Sequence, residues 1–443
     1  MAAEPVLARP AQGRAFAGRV GLAAWCAYDW ANSAFPTVIT TFVFAAYFAK
    51  AVAIDDVTGT SQWAYAMSAS AFALALAGPV LGAIADSAGR RKPWVGAFTV
   101  VAVLASGMLW FAKPDPAFVL WTLVFAAIAN FAFEMAGIFY NAMLPSLASP
   151  AILGRISGWG WGLGYAGGLT CLVVALFLLV QPDPPLFGLS AEMAEPIRAT
   201  ALLVAIWIAV FSLPFFFFTP DTRSKGVPAG TAVRQGFASL VNTVRRARDY
   251  KPVLIYLISH MIYTDGLNTL FTVGGIYAAV TFGMDFNELL IFGIAMNVTA
   301  GLGAFAFGWI DDWIGPKTTI FIAVGALTVL GAILIVVESK TLFWVFGLPL
   351  GIFFGPAQSA SRSLMARLAP PNLYAEMFGL FALSGKATAF LGPALFGLVT
   401  GLADSQRWGL ATILGFFVVG LVLLIPVPNV RHTAGPPSPP TVG

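Results

Sequence analysis

Asp29-Trp-Ala-Asn32-Ser33-Ala-Phe35 is met again, one half-chain later, as Asp265-Gly-Leu-Asn268-Thr269-Leu-Phe271. Both copies read D-x-x-N-[S/T]-x-F, and both lie inside long apolar stretches. A carboxylate at membrane depth costs at least about 2.5–3.5 kcal/mol near a helix centre, so its presence points to a functional site. A duplicated membrane protein is the reading that follows.

Composition agrees. Hydrophobic residues make up 59% of the 443-residue chain and charged residues 10%, against about 25% charged in ordinary soluble domains. Twelve mostly apolar stretches are legible, near 21–48, 62–85, 93–111, 117–142, 154–180, 199–219, 252–281, 287–310, 317–337, 342–365, 374–401 and 408–428. Each approximates the ~20 residues a membrane helix needs, and none shows the alternation of a barrel strand. The fold expected is therefore an all-α membrane protein with twelve transmembrane helices in two pseudo-symmetric six-helix halves.

The net charge of +4 does not point to nucleic acid. Its distribution sets topology instead. With an internal N-terminus, the tails and loops of one side hold every Lys and Arg except Lys50, Lys113, Arg198, Lys340, Arg407 and the intramembrane Lys386. By the positive-inside rule both termini are then expected in the cytoplasm, in a multi-pass protein of the cytoplasmic membrane. Cys26 and Cys171 both fall in apolar stretches, so no disulfide framework is available. No metal-ligand cluster, phosphate loop or nucleophile elbow is legible, and no cofactor or enzymatic activity is expected.

The organisation expected is an N-terminal half over 16–219, a basic cytoplasmic linker over 220–251, a C-terminal half over 252–430 and a mobile tail over 431–443. Within the linker, Val233, Phe237, Leu240, Val241 and Val244 recur at helical spacing, predicting an amphipathic helix along the membrane surface.

A second internal match follows the second and eighth stretches. Gly82-Ala-Ile-Ala-Asp86-Ser-Ala-Gly89-Arg90-Arg91-Lys92 parallels Gly308-Trp-Ile-Asp311-Asp312-Trp-Ile-Gly315-Pro-Lys317. Asp86 would end a helix, where a carboxylate is unfavourable unless a facing helix N-terminus or an Arg pairs with it. This segment resembles the loop signature that major facilitator transporters carry between their second and third helices. "YDWANSAF" at 28–35, "QSASRSLMARLAP" at 358–370 and "AEMFGLFALSGKATAFLGP" at 375–393 are similar to segments of the vacuole-effluxer family. The resemblance implies a secondary transporter alternating access between two halves, and, as in fungal members, an exporter of amino acids.

It also implies that the third, sixth, ninth and twelfth spans face lipid. Those four hold no charged residue or His in their interiors, whereas Asp29, Glu134, His260, Asp265 and Lys386 fall on others. Asp29, Asn32, Ser33 and Pro36 share one helical face, as do Asn130, Glu134, Gly137 and Asn141, and again Asp265, Asn268 and Thr272. These stripes predict a hydrated path for a small molecule and for a coupling proton; interhelical hydrogen bonding is the alternative for the Asn and Ser residues. Lys386 needs a carboxylate, and Asp265 is the partner expected. Such a pair is either a switch opened by substrate or a permanent salt bridge.

Arg155, Arg362, Arg367 and Glu376, with Asp86 and Asp312, are expected to form an inner gate of ion pairs. The glycines of span five, Gly158 to Gly168, predict close packing on span eight. A substrate of another class, an amphipathic drug or a lipid, is the nearest alternative, and a transport-inactive receptor the next. The partners expected are a small-molecule substrate and the bilayer, with the protein a monomer.

Overall fold

The computed structural model describes residues 16–245 and 247–430, and every regular element among them is helical. The tail expected to be mobile lies outside the described residues. Among the described residues ten helices are long and apolar enough to cross a membrane. They are α1 (Arg19–Val52), α2 (Asp56–Ala88), α3 (Lys92–Phe111), α4 (Pro116–Leu147), α5 (Leu153–Val180) and α6 (Glu195–Phe218), then Ile291–Ile314, Pro316–Val336, Lys340–Leu368 and Gln406–Leu424. Between the two sets lie the linker helix α7 (Ala229–Arg245) and the 32-residue α8 (Lys251–Phe282). The second set runs as α9 (Phe286–Ile314), α10 (Pro316–Val336), α11 (Lys340–Leu368), α12 (Tyr374–Ser384), α13 (Leu391–Ala403) and α14 (Gln406–Leu424).

The eleventh apolar stretch is not one helix but two. Between α12 and α13 the ladder tightens into i→i+3 turns: Lys386 N–H donates to Leu383, Ala389 to Lys386 and Leu391 to Thr388. Pro393 explains the break, because its ring would clash with the Ala389 carbonyl of a continuous α-helix and it has no N–H to offer. Lys386 sits in this break.

α1 departs from regularity as well. It is α-helical to Asn32 and π-helical over Phe35–Phe42 and Phe48–Val52. Pro36 removes one donor, and the Thr37 and Thr40 hydroxyls donate back to the Ser33 and Pro36 carbonyls at 2.8 and 2.9 Å. Such back-bonding bends a helix.

Alongside α11 on α5 and α4, and α12 on α4, the two largest contacts between the first six helices and the later ones are α5 on α9 and α2 on α12. Both depend on missing side chains. A Cβ on Gly158 would stand 2.9 Å from the Gly308 Cα, and one on Gly82 would stand 2.7 Å from the Ala375 carbonyl carbon. Span five therefore packs on span eight as its glycines predict. Gly82→Val is expected to cost about 1–3 kcal/mol, as overpacking does, read as a lower thermal unfolding midpoint and faster labelling of cysteines placed along α12.

The linker helix packs on α2, with Gly236 against Ile84. Ala232, Gly236 and Thr243 face the bundle, while Val233, Phe237 and Val241 stay exposed. The apolar stripe expected to meet the membrane surface is thus the outward one, and small residues form the seat.

Candidate functional site

A cavity of about 470 Å³ lies between the two sets of helices. Its polar wall is Ser33, Thr37, Asn268, Thr272, Asn297 and Gln358; its aromatic wall is Trp161, Tyr165, Phe271 and Phe354. Lys386 reaches it from the α12–α13 break. Ser33, Thr37 and Thr41, four residues apart on one face of the irregular stretch of α1, line it together.

The partner of Lys386 is Glu134 of α4, at 2.9 Å. This corrects the expected pairing with Asp265. The break swings Lys386 towards α4, while Asp265 faces the start of α13, where its Oδ1 accepts from the Gly392 N–H at 3.3 Å. Lys386 and Glu134 keep 38% and 23% of their side-chain surface exposed; Lys386 lines the cavity and Glu134 stands behind it, so a solute entering meets the pair from the ammonium side. On its other side lies a smaller cavity of about 300 Å³, lined in part by Met67, Leu74 and Asn130. Asn130 donates to Ser70 at 2.9 Å and so ties α4 to α2.

Beneath the cavity lies a second charged centre. The Arg362 guanidinium of α11 donates to Asp29 of α1 at 2.9 Å, to Asn141 of α4 at 3.1 Å and to the Ser157 hydroxyl and carbonyl of α5 at 3.0 and 2.6 Å. It also lies 5.0, 5.9 and 5.7 Å from the ring centroids of Trp25, Tyr140 and Trp161. Arg362 is 4% and Asp29 19% exposed. Gly160 makes room: a Cβ there would stand 2.9 Å from an Arg362 nitrogen and would also meet the Asp29 carboxylate. This too is a correction, since Arg362 was expected among the gate residues at the helix ends. It points one layer deeper because a planar fork stacked on aromatic faces satisfies an Arg better than a helix end does.

The helix ends carry two similar clusters in place of one gate. In the first, Asp86 pairs with Arg91 at 2.8 Å and accepts from the Glu376 N–H at 2.9 Å, at the start of α12. In the second, Asp312 accepts from Gly154 N–H at 2.7 Å, from Arg155 N–H at 3.2 Å and from the Arg155 Nε at 2.8 Å, at the start of α5. Each Asp thus meets a facing helix N-terminus, the partner a carboxylate at a helix C-terminus requires. Arg367 adds to the second cluster, 3.3 Å from Asp312 and 3.7 Å from Asp311. Gly89 turns the chain at φ +93° after α2, and Arg90 pairs with Asp221. Glu376 makes no ion pair among the described residues, contrary to expectation; it accepts from Ser239 of the linker helix at 3.0 Å. Asn32 is buried and does not line the cavity. His260 is buried, bonded to Ser384 at 2.8 Å and stacked on Phe381.

Of the residues expected along the path, Asn268 and Lys386 line the cavity, Glu134 and Asn130 line the smaller one, and Asp29 and Asn141 meet Arg362; Trp161, Tyr165, Asn297 and Gln358 of the cavity wall were not among them. Tyr165 donates to Gln358 at 2.7 Å across the two sets of helices. The signal available for Gln358 was its place one turn ahead of Arg362, on the same face of an otherwise apolar helix. Among the described residues no group of three or more His, Cys, Asp or Glu could hold a metal.

The architecture is that of known transporters. It superposes on the outward conformation of the major facilitator superfamily transporter FucP with a TM-score of 0.72, at 13% identity, covering 91% of this chain and 97% of that one. A bacterial ferroportin homologue in its outward-facing state gives 0.66 at 13% identity, covering 92% and 98%. The fold therefore defines a multi-pass membrane protein of the major facilitator class. The chain belongs to the family described as "Vacuole effluxer Atg22 like", whose model matches residues 47–434, and is a transporter of that superfamily. It is 27% identical over 412 residues to the MFS-type transporter YxiO of Bacillus subtilis, covering 92% of this chain and 95% of that one. It is 26% identical over 308 residues to Autophagy-related protein 22 of Saccharomyces cerevisiae, covering 62% of this chain and 56% of the yeast protein. The matched region thus spans little more than half the length of such fungal relatives.

Proposed function

We propose that this transporter moves amino acids or similar small zwitterions, exporting them under a proton gradient by rocking two six-helix halves, 16–219 and 252–430, around the central cavity. In this reading α8 and the broken α12–α13 pair add two crossings to the ten apolar helices, making twelve. The Asp86, Asp312 and Arg362 clusters close the cytoplasmic end, and the cavity faces outward. The basic residues of the loops on the closed side support that orientation.

The observation that carries the substrate class is the partly exposed Lys386–Glu134 pair, whose Lys386 lines both the central cavity and the smaller cavity beside it and whose Glu134 lines the smaller one. It presents one fixed positive and one fixed negative group about one hydrogen bond apart, which is the pattern a zwitterion complements. A substrate carboxylate addresses Lys386 and its ammonium addresses Glu134, and the amides of Asn268, Asn297 and Gln358 hold the remainder. Binding exchanges one ion pair for two, so little charge is left unpaired at any stage.

Counterflow into proteoliposomes tests this, with a labelled amino-acid mixture outside and the unlabelled mixture inside. Accumulation is expected in the wild type. Its absence in a folded preparation, with accumulation of an amphipathic drug or lipid instead, would replace the zwitterion by that class.

A further inference from the structure

Asp265 is no longer needed as the partner of Lys386, yet it is among the most enclosed carboxylates of the protein. It is 1% exposed. Its Oδ1 accepts from Gly392 N–H at 3.3 Å, and its Oδ2 is buried with no hydrogen-bond partner among the described residues. The Thr388 hydroxyl lies beside the carboxylate. Gly392 is the second residue of the 13-residue α13, and its N–H is one of those left without an intrahelical acceptor. A Cβ at Gly392 would stand 2.9 Å from Asp265 Oδ1, so α8 and the start of α13 meet at this carboxylate.

The rest of α13 packs on α14, with Phe396 and Thr400 against Gly409, so its start is what Asp265 fixes. Of its residues only Gly392 and Phe396 are buried, while Leu395, Leu398 and Leu402 are exposed. An ionised Asp265 holds the start of the helix, through the Gly392 N–H at its positive end and the neighbouring Thr388 hydroxyl. A proton on Oδ2, which the Thr388 hydroxyl can accept in a hydrogen bond, removes that charge. Lys386 stands five residues before Leu391, on the same tight turns.

We infer that Asp265 is a proton-binding residue that positions α13, and that its neutralisation loosens α13 from α8 and releases Lys386 from Glu134. Asp265 does not touch the substrate; it acts through the broken helix. The inference rests on the proposed role of Lys386 and supplies a route by which a proton gradient reaches the substrate pair. Other titratable and charged groups on the elements around it are engaged or remote. Lys386 is held by Glu134, His260 by Ser384 and Tyr263 by Ser361. Glu376, Asp404 and Arg407 lie at the far ends of α12, α13 and α14, and Lys251 begins α8.

Spin labels on cysteines introduced at the exposed Leu76 of α2 and Leu398 of α13 would report the distance between the two helices in lipid nanodiscs without substrate, between pH 5.5 and 8. In the wild type the ratio of the two distance populations is expected to change at least about threefold, a modest population shift. Asp265→Asn should hold the low-pH distribution throughout. Asp265→Glu should keep the response, which also covers the case of an Asn variant that does not fold. His260→Gln should keep it too. A wild type indifferent to pH, an Asp265→Asn variant that still follows pH, loss of the response in His260→Gln, or a response that follows sodium at fixed pH would each overturn the inference. Because no substrate is present, failure of the zwitterion reading in counterflow leaves this measurement standing, and the reverse holds as well.

Discussion

Lys386→Ala is expected to lower counterflow by about tenfold to a hundredfold. A hydrogen bond to a charged group is worth about 1.5–3 kcal/mol, and each 1.4 kcal/mol is a factor of about ten in affinity. Lys386 carries such a bond to Glu134 at 2.9 Å, and in the proposed mechanism transfers it to the substrate carboxylate. The single variant also leaves Glu134 without its partner, which alone could weaken the protein. Lys386→Ala combined with Glu134→Gln removes both charges and separates the two effects. Thermal stability should recover in the double variant, whereas transport should not. If counterflow recovers along with stability, the pair only holds the helices together and the proposed substrate contact is wrong.

Arg362→Ala should have the larger effect on conformation. Removing one member of a buried ion pair costs about 3–5 kcal/mol, because the other charge stays behind uncompensated. The four hydrogen bonds of Arg362 reach Asp29, Asn141 and Ser157 from a helix of the opposite set, with three aromatic rings around the guanidinium. The cost therefore falls on the arrangement in which the cavity floor is shut. The population with an open floor is expected to rise more than about tenfold, far less than the full cost would allow. Labelling of a cysteine placed at Ser157 from the closed side measures it. Arg362→Lys keeps the charge but loses the fork and the stacking, so it should fall between wild type and Ala. Labelling that does not change in Arg362→Ala would show that the floor is closed by the end clusters alone.

The two experiments address different layers of one path. Lys386 lies in the cavity wall with Glu134 behind it, Arg362–Asp29 in the floor, and the Asp86 and Asp312 clusters at the helix ends. An exported substrate would meet them in the reverse order. Only the first is exposed enough to exchange its partner for a solute; the second is buried and must open by movement of whole helices.

Much of this was legible in the residues themselves. Long apolar stretches must be helices in lipid, since each backbone donor and acceptor has to be satisfied within its own segment. The repeated D-x-x-N-[S/T]-x-F and the Gly82–Lys92 segment with its later match pointed to a duplication, and helical phase put Asp29, Glu134 and Asn268 on polar faces. These are properties of one segment at a time, set by composition, spacing and the 3.6-residue turn. The partners were a different matter. Lys386 was assigned to Asp265 on depth alone, and Arg362 to the gate on its nearness to a helix end. Which carboxylate each one meets depends on how far each helix is rotated and slid against its neighbours. That is decided by glycine contacts such as Gly158 on Gly308 and Gly82 on Ala375, by the π-helical bend of α1, and by the break before Pro393. Each of these reorients a side chain by a large part of a turn without altering the hydrophobic pattern, so no periodicity records it.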